Sequence, residues 1–200
     1  MLIKTLVLGP VETNCYIVTD ENSNECAVID PGDESNTILD YLEDAGLTCK
    51  AILLTHGHYD HVGAVYTVAE ETGARIYINR KDAPDTPNDY FPLSASPELN
   101  YYGSGDTVSV GGLNFTVIET PGHTPGSVSL ICEDAIFSGD TLFKGSCGRC
   151  DLPGGSEREI MKSLKTLCSL EGDYEVYPGH MEHTSLDRER MTNYFCRKVM

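Results

Sequence analysis

The sequence predicts an α/β protein in which two β-sheets pack together and helices cover their outer faces. Two observations lead to this prediction. The first is the order of elements: strands come first, then a strand and a helix, then more strands, and finally helix, strand and helix. The second is that each helical segment carries one apolar stripe, which has to be buried against a sheet. Because no linker or repeat interrupts the chain, we expect a single domain over residues 1–200.

The first part of the chain predicts four strands and a helix. The strands are expected where β-branched and other apolar residues cluster, at 2–8, 15–19, 26–29 and 50–55. The last of these contains an uninterrupted apolar run, which is typical of a central strand covered on both faces. Between the third and fourth strands, Asp33 is placed to cap a helix that buries Ile38 and Leu42. Gly46 is placed to end that helix.

The middle of the chain predicts one helix, one strand and a long irregular segment. Apolar residues follow helical spacing over 62–72, and Gly73 is placed to stop that helix. A strand follows at 75–78. The next stretch, 79–105, has four prolines and no clear period. An irregular segment of this length is typical of a loop over a substrate site, although a surface excursion with a short helix explains it equally well.

The last part of the chain returns to strands and then to helices. Five further strands are expected, at 107–110, 113–118, 127–132, 135–137 and 174–177. A glycine-rich loop covers 138–155. Ser156 and Glu159 have the spacing of a capping box, which predicts that a helix begins there. A final short helix is expected at 187–194.

Composition restricts the classes of function. The formal net charge is −17, from 14 basic and 31 acidic residues, which disfavours a nucleic-acid partner. No apolar stretch approaches the length of about 20 residues that spans a membrane, and the first ten residues do not form a signal peptide. We therefore expect a cytoplasmic protein whose eight cysteines are reduced thiols. Cys147 and Cys150 have the spacing of a redox or zinc motif, but a zinc ribbon needs a second such pair.

Five of the six histidines stand just after predicted strands, beside glycine or aspartate. Three of them and an aspartate occur within six residues, and the remaining members follow three other strands. The full set is His56, His58, Asp60, His61, His123, Asp140 and His180. Loops at strand ends are where sheets of this kind collect ligands. The sixth histidine, His183, is interpreted as an ordinary surface or core residue.

The types and spacing of these side chains indicate a metal centre. His56 and His58 point the same way in an extended loop, and Asp60 and His61 start the following helix. Imidazole suits zinc, iron or nickel, and a carboxylate neutralises charge and bridges ions. Five histidines and two aspartates are too many for one tetrahedral ion and enough for two. A cluster of this kind is hard to explain as structure alone.

The ligand pattern resembles that of the metallo-β-lactamase superfamily over nearly the whole chain. The core of the resemblance is His56-x-His58-x-Asp60-His61 together with the three distant ligands. The surrounding motifs are similar to those of short, single-domain hydrolases of the glyoxalase II type (hydroxyacylglutathione hydrolase-like). They are Asn14-Cys15-Tyr16, Asp30-Pro31-Gly32, Thr120 to Ser127, Ser138 to Phe143, Gly148-Arg149, Asp151 to Gly155 and Tyr177 to His180.

The resemblance implies a fold and an assignment of ligands. The fold is a four-layer αββα sandwich of two mixed β-sheets flanked by helices. By position, the ligands of the first metal are His56, His58 and His123. The ligands of the second metal are Asp60, His61 and His180, with Asp140 bridging the two ions. The ions are divalent, zinc being the first choice and iron or manganese the alternatives. Asp60 and Asp140 are the expected catalytic residues.

The function implied is hydrolysis of a small acyl substrate by a hydroxide held between two metals. The first candidate is a thioester such as S-2-hydroxyacylglutathione, because a thiolate leaves without strong acid assistance. A lactonase or esterase, a phosphodiesterase, a single-iron sulfur dioxygenase and a non-catalytic metal-binding protein remain as alternatives. A secreted β-lactamase is disfavoured by the absence of an export signal. Lys144 and Arg149 could meet an anionic substrate or simply be solvated, and the oligomeric state is open.

Three departures from the family pattern concern the leaving group. Full-length glyoxalase II enzymes carry a C-terminal helical region that helps to bind glutathione, and the printed sequence has none. Met181-Glu182 follows His180 where relatives commonly have Gly-Pro. Near the end, Asn193 is followed by Tyr194 where proline is usual. The resemblance thus predicts the metal centre more strongly than it predicts recognition of glutathione.

Overall fold

The computed structural model describes residues 1–83, 89–93 and 99–200. Within these residues the chain forms four layers, with helices outside two mixed sheets that pack face to face. This arrangement confirms the predicted αββα architecture. Helices that cross from one parallel strand to the next have to lie on a face of the sheet, so each sheet acquires its own outer helical layer.

The first sheet contains the N-terminal strands. Its described strands stand in chain order: β1 (Leu2–Leu8), β2 (Thr13–Asp20), β3 (Glu25–Ile29), β4 (Thr48–Leu53), β5 (Arg75–Ile78) and β6 (Leu99–Tyr101). The first three are antiparallel and the last four are parallel. Helices α1 (Ser35–Asp44), α2 (Tyr59–Val62) and α3 (Val65–Thr72) lie in the crossovers. β2 is buried along its whole length, as a strand covered on both faces must be.

The second sheet contains the later strands. In chain order, the strands of this sheet are β7 (Thr107–Val110), β8 (Leu113–Glu119), β9 (Val128–Cys132), β10 (Ala135–Gly139), β13 (Glu175–Pro178) and β14 (Thr184–Ser185). Between β10 and β13 the chain also forms a separate hairpin of β11 (Leu142–Phe143) and β12 (Ser146–Cys147). The described sheet order is β14-β13-β10-β9-β8-β7, and only the β10–β13 pair in it is parallel. Three helices cover this sheet: α4 (Glu157–Cys168), α5 (Leu186–Thr192) and α6 (Tyr194–Val199).

Three apolar layers hold the sandwich together. The middle layer lies between the sheets and includes Leu53, Phe115, Leu130 and Phe137, which are fully buried. The outer layers lie under the helices, and Ile38 belongs to the first of them. Burying one such side chain contributes about 1.5–3 kcal/mol to folding. The two sheets are therefore fixed against each other, and so are the loops at their edges.

Two helix predictions were wrong at specific residues. The helix expected over 62–72 is broken after Val62 into α2 and α3. A Cβ atom on Gly63 would lie 2.3 Å from the carbonyl oxygen of Gly32, so a contact with another loop shapes this break. The helix expected at 187–194 is likewise split at Asn193, whose side-chain oxygen accepts a hydrogen bond from the N–H of Phe195 and starts α6.

The start of α1 also differs from the prediction. Glu34, not Asp33, is the N-cap residue, and its φ of 48° places it in the left-handed region. The short strands β6, β11, β12 and β14 were not predicted at all. They have two or three residues each, too few for a period to show.

The irregular segment 79–105 is described in part. Arg80–Asp82 forms a 3-10 turn, and Leu99–Tyr101 forms the edge strand β6. Residues 84–88 and 94–98 lie outside the described residues. The prediction of a loop over the substrate site falls partly on these residues and stays a prediction. Among the described residues, no helix is both long and apolar enough to cross a bilayer.

Candidate metal centre

The seven predicted ligands come together at one edge of the sandwich. They follow β4, β8, β10 and β13, four strands whose carboxyl ends point to the same rim. Asp60 and His61 lie in α2, the short helix that begins directly after the loop of the first two histidines. Five of the seven are buried, namely His56, His58, His61, His123 and Asp140, and the other two are half-buried. Two sheets thus contribute to a single site.

Three histidines form what we call the first ligand group: His56, His58 and His123. One ring nitrogen from each lies within 4.8 Å of the others. Nδ1 of His58 and Nε2 of His123 are 2.9 Å apart, although 65 residues separate them in the chain. Three imidazoles that converge in this way are a ligand set typical of zinc.

The second ligand group consists of Asp60, His61 and His180, whose ligand atoms also lie within 4.8 Å of one another. Nε2 of His180 is 3.4 Å from Oδ2 of Asp60, and Nε2 of His61 is 3.7 Å from the same oxygen. Both groups were assigned from the sequence in this composition, and the structure brings the members of each together.

Asp140 lies between the two groups. Its Oδ2 is 3.4 Å from Nε2 of His123 in the first group and 3.6 Å from Nε2 of His180 in the second. Its Oδ1 is 3.5 Å from Nε2 of His61. One carboxylate that reaches both groups has the position expected of a bridge between two ions.

Unsatisfied atoms show that these residues fit metal ions. Among the described residues, four buried side-chain nitrogens or oxygens have no hydrogen-bond partner. They are Nε2 of His56, His58 and His61, and Oδ1 of Asp140. Buried polar atoms are normally hydrogen-bonded, because an unpaired one costs about 1–3 kcal/mol. Four of them at one point are accounted for if bound cations take the place of hydrogen-bond donors.

Hydrogen bonds behind the ligands fix the imidazole rings. Nδ1 of His123 lies 2.8 Å from the carbonyl oxygen of Arg149, so that Nδ1 carries the proton and Nε2 is free to face the centre. Nδ1 of His56 lies 3.1 Å from the hydroxyl of Thr55. Such outer partners select the tautomer and orient the ring of a ligating histidine.

Asp30 is a further outer partner, and no role was assigned to it from the sequence. It accepts hydrogen bonds from the N–H and hydroxyl of Thr55, and its Oδ2 lies 2.9 Å from Nδ1 of His61. Asp30, His56 and His61 also form a third possible ligand group by distance. Because the Asp30 carboxylate already has three donors, we interpret it as holding His61 in place. Its position after β3 in Asp-Pro-Gly was the available signal.

The electrostatics of the centre favour neutral histidines on one side and positive charge on the other. Burial, reinforced by the neighbouring His123, lowers the pKa of His58 to about 4. Burial also lowers the pKa of His56 well below its ordinary range. Burial opposes protonation of His61 as well, but the carboxylates of Asp140 and Asp30 outweigh it and raise that pKa to about 9. The carboxylates therefore create a point where a cation is stabilised.

A cavity opens beside the ligands. Its volume is about 370 Å³, enough for a small molecule. The residues around it are Val11, His58, Tyr59, Asp60, Tyr90, His123, Asp140, Arg149, Leu152 and His180. The wall thus combines ligands of both groups with apolar and aromatic side chains. Because the cavity is open to solvent, a substrate can reach the ligands through it.

The two cations that could meet an anionic substrate or be solvated, Arg149 and Lys144, are both paired with nearby carboxylates. The guanidinium of Arg149 donates two hydrogen bonds of 2.7 Å to Asp151. The ammonium of Lys144 pairs with Glu182. All four groups are at least partly exposed, so these pairs are weak and exchangeable. Neither cation contacts the ligand groups directly through its side chain.

Fold and centre together define the class of protein. Residues 8–180 match the family model for the metallo-beta-lactamase superfamily, and the chain belongs to that superfamily. Within it, the chain is 32% identical to hydroxyacylglutathione hydrolase GloC of Haemophilus influenzae, with 98% of each protein covered. The protein is accordingly a metallo-hydrolase of this superfamily, and the resemblance seen in the sequence is confirmed at that level.

Solved structures show the same relationship. The structure of the BLEG-1 B3 metallo-beta-lactamase superposes with a TM-score of 0.89 at 32% identity, covering 98% of this chain and 99% of that one. The structure of TTHA1623 in a di-iron-bound form superposes with a TM-score of 0.85 at 36% identity, covering 96% and 99%. Likeness at this level extends over the whole sandwich.

Proposed function

We propose that the protein is a dinuclear metallo-hydrolase that cleaves a small acyl thioester, with S-2-hydroxyacylglutathione as the first substrate to test. The observation that carries the proposal is the pair of ligand groups joined by Asp140, which together offer seven ligands to two ions. The similarity to GloC supports the choice of thioester, since that relative is named as a hydroxyacylglutathione hydrolase.

The metals proposed are two divalent ions. The first choice is zinc. Five of the proposed ligands are imidazoles and a sixth is the carboxylate of Asp60, a set that zinc accepts readily. Iron is the main alternative, and the di-iron form of TTHA1623 supports it. Manganese is the third. Two divalent ions in such a centre polarise a carbonyl oxygen and lower the pKa of water towards neutrality.

The residues of the chain have separable roles in hydrolysis. Asp60 stands at the cavity with Oδ2 3.4 Å from the hydroxyl of Thr13, and it is proposed to accept the proton of the attacking water. The pKa of Asp60 is held low despite burial, through its hydrogen bond with His180, so its carboxylate is ionised and available to orient the attacking water. Asp140 keeps the two ligand groups at a fixed separation.

The reaction itself is a substitution at the acyl carbon. The water oxygen forms a bond to the carbonyl carbon, the carbon–sulfur bond breaks, and the products are a carboxylic acid and a thiol. Tyr59 and Val11 at the rim offer apolar surface to the acyl group or to the thiol portion. The cavity has room for a short acyl chain.

Hydrolysis of β-lactams is the second candidate. It is favoured by the similarity over the whole chain to BLEG-1, which is described as a B3 metallo-beta-lactamase. A lactam carbonyl is attacked in the same way as a thioester carbonyl, so the ligand groups do not discriminate between the two. Lactones and phosphodiesters are further substrates to compare for the same reason.

A rate panel on the metal-loaded protein tests the proposal. The panel consists of S-lactoylglutathione, an acetyl thioester of N-acetylcysteamine, a lactone, a phosphodiester and a chromogenic cephalosporin. We expect kcat/KM for the better thioester to exceed that for each other class at least tenfold, and Asp60→Asn to remove the activity. Activity confined to phosphodiesters or to the cephalosporin would overturn the substrate class.

A further inference from the structure

A buried carboxylate outside the ligand set lies directly behind the first ligand group. Asp82 ends the 3-10 turn Arg80–Asp82 and has no solvent exposure. Its Oδ2 accepts hydrogen bonds from the hydroxyl of Thr124 at 2.6 Å and from the N–H of Gly57 at 3.1 Å. Its Oδ1 accepts one from the N–H of Gly126 at 2.7 Å. Burial raises the pKa of the Asp82 carboxyl, and the three donors offset part of the cost of burying its charge.

The donors belong to two loops that are far apart in the chain. Gly57 stands between His56 and His58, so the first donor is the backbone of the loop that carries both ligands. Thr124 directly follows His123, and Gly126 is two residues further on. All three members of the first ligand group are therefore attached to loops that Asp82 joins.

The two loops approach Asp82 so closely at Gly57 and Gly126 that neither position has room for a Cβ atom. A Cβ atom on Gly57 would lie 2.5 Å from the carbonyl oxygen of Asp82, and one on Gly126 would lie 2.5 Å from its Oδ1. Asp82 therefore packs against Gly57 through its backbone and against Gly126 through its carboxylate, so that one residue lies between the two loops.

We propose that Asp82 is a positioning residue that holds the two loops at the separation where His56, His58 and His123 can share one metal ion. Asp82 touches neither ion nor substrate in this account. It acts through the backbone at Gly57 and through Thr124, as outer hydrogen-bond partners of ligands do. The proposal rests on metal binding by the first ligand group and not on the substrate, so it can fail while thioester hydrolysis stands.

Asp20 offers a matched control for a merely structural role. It is likewise a largely buried residue, 5% exposed, and its carboxylate accepts hydrogen bonds from the hydroxyl of Ser23 at 2.8 Å and from the N–H of Gly112 at 2.9 Å. The N–H and the side-chain amide of Asn22 donate to the same carboxylate at 3.1 and 3.2 Å. These donors lie in turns that carry no proposed ligand. Replacing either aspartate by asparagine therefore disturbs a similar set of hydrogen bonds, but only Asp82 lies behind the centre.

The experiment compares metal affinity and thermal stability in Asp82→Asn and Asp20→Asn. Each is made in the chain with His180→Ala, which disables the second ligand group, so that titration of the metal-free protein with Zn²⁺ against a chromophoric chelator reports the first group. We expect Asp82→Asn to weaken Zn²⁺ binding by roughly 10–100-fold, the usual effect of losing an outer partner. We expect Asp20→Asn to lower the Tm of the metal-free protein and to leave Zn²⁺ affinity unchanged.

Two results would overturn the proposal. One is unchanged Zn²⁺ affinity in a folded Asp82→Asn protein, and the other is an equal loss of affinity in Asp20→Asn. If Asp82→Asn does not fold, Thr124→Val decides the matter, because it removes one donor to Asp82 and keeps the shape of the side chain. A several-fold loss of Zn²⁺ affinity in Thr124→Val is then expected, and no loss would contradict the role of Asp82.

Discussion

Nδ1 of His61 lies 2.9 Å from Oδ2 of Asp30, a carboxylate that also accepts two hydrogen bonds from Thr55. This contact joins the end of β3 to the helix that carries two proposed ligands. It fixes the ring of His61 with Nε2 towards Asp140, at 3.5 Å from its Oδ1. The second ligand group therefore depends on a residue that is not itself assigned as a ligand.

Removing this carboxylate is expected to weaken the centre. Asp30→Ala leaves the Thr55 donors and the Nδ1 proton of His61 without a buried acceptor, so we expect a loss of metal affinity of roughly 10–100-fold. Metal content after dialysis against limiting Zn²⁺, together with kcat, measures it. The matched control is Asp33→Ala, an exposed carboxylate three residues on. Equal metal content in both variants would contradict the role given to Asp30.

Replacing a proposed ligand histidine and replacing a histidine outside the ligand groups should have opposite effects on activity. His58→Ala removes a member of the first ligand group, so metal-dependent hydrolysis should fall to background while the protein still unfolds cooperatively. His183→Ala should retain full activity, because His183 is exposed and stacks on Tyr177 away from both groups. Steady-state rates and thermal melts of the two proteins decide this. Full activity in His58→Ala would show that His58 is not a required ligand.

Arg149 is expected to matter through its backbone. Its carbonyl oxygen accepts from Nδ1 of His123, while its side chain pairs with Asp151 in solvent. Arg149→Ala keeps the carbonyl, so we predict that kcat and metal content stay within about twofold and that stability hardly changes, because solvent screens the exposed pair with Asp151. A rise in KM confined to anionic thioesters would assign the guanidinium to substrate binding. A large fall in kcat for a neutral thioester would contradict this account.

The sequence predicted which side chains converge at the rim, because the loops that carry them follow strands. The strands were recognisable from β-branched and apolar runs, and the rim of a sheet brings their ends together. The outer partner Asp82 could not be found in the same way. It lies in the segment 79–105, where no period exists, and its partners at Gly57 and Thr124 are distant in the chain.

The errors in the helices have a related cause. The apolar spacing over 62–72 is continuous, and only the packing of Gly63 against Gly32 explains why the helix breaks. A contact between residues that are 31 positions apart overrides the local pattern. Local sequence therefore predicted the layers and the side chains that converge at the rim, whereas contacts between loops determine how those side chains are held.

A glycine beside Asp140 gives a further prediction. A Cβ atom on Gly148 would lie 1.8 Å from the carbonyl oxygen of Asp140, so Gly148→Ala has to displace the residue that joins the two ligand groups. We expect loss of most activity and a decrease in stability of about 1–3 kcal/mol or more. Gly46→Ala is the control: its Cβ meets nothing within 4 Å, and its φ of +64° costs about 1 kcal/mol. Equal activities of Gly148→Ala and Gly46→Ala would contradict the proposal that the loop of Gly148 helps to position Asp140.

The most direct test of the account is the metal titration of the protein stripped of metal. Hydrolysis of the best thioester is measured as Zn²⁺ or Fe²⁺ is added in small steps, with bound metal determined at each step. We predict no activity without metal and a rise in rate that ends at two equivalents per chain, the number implied by the two ligand groups and Asp140. Full activity in the metal-free protein would contradict the central claim, as would saturation at one equivalent.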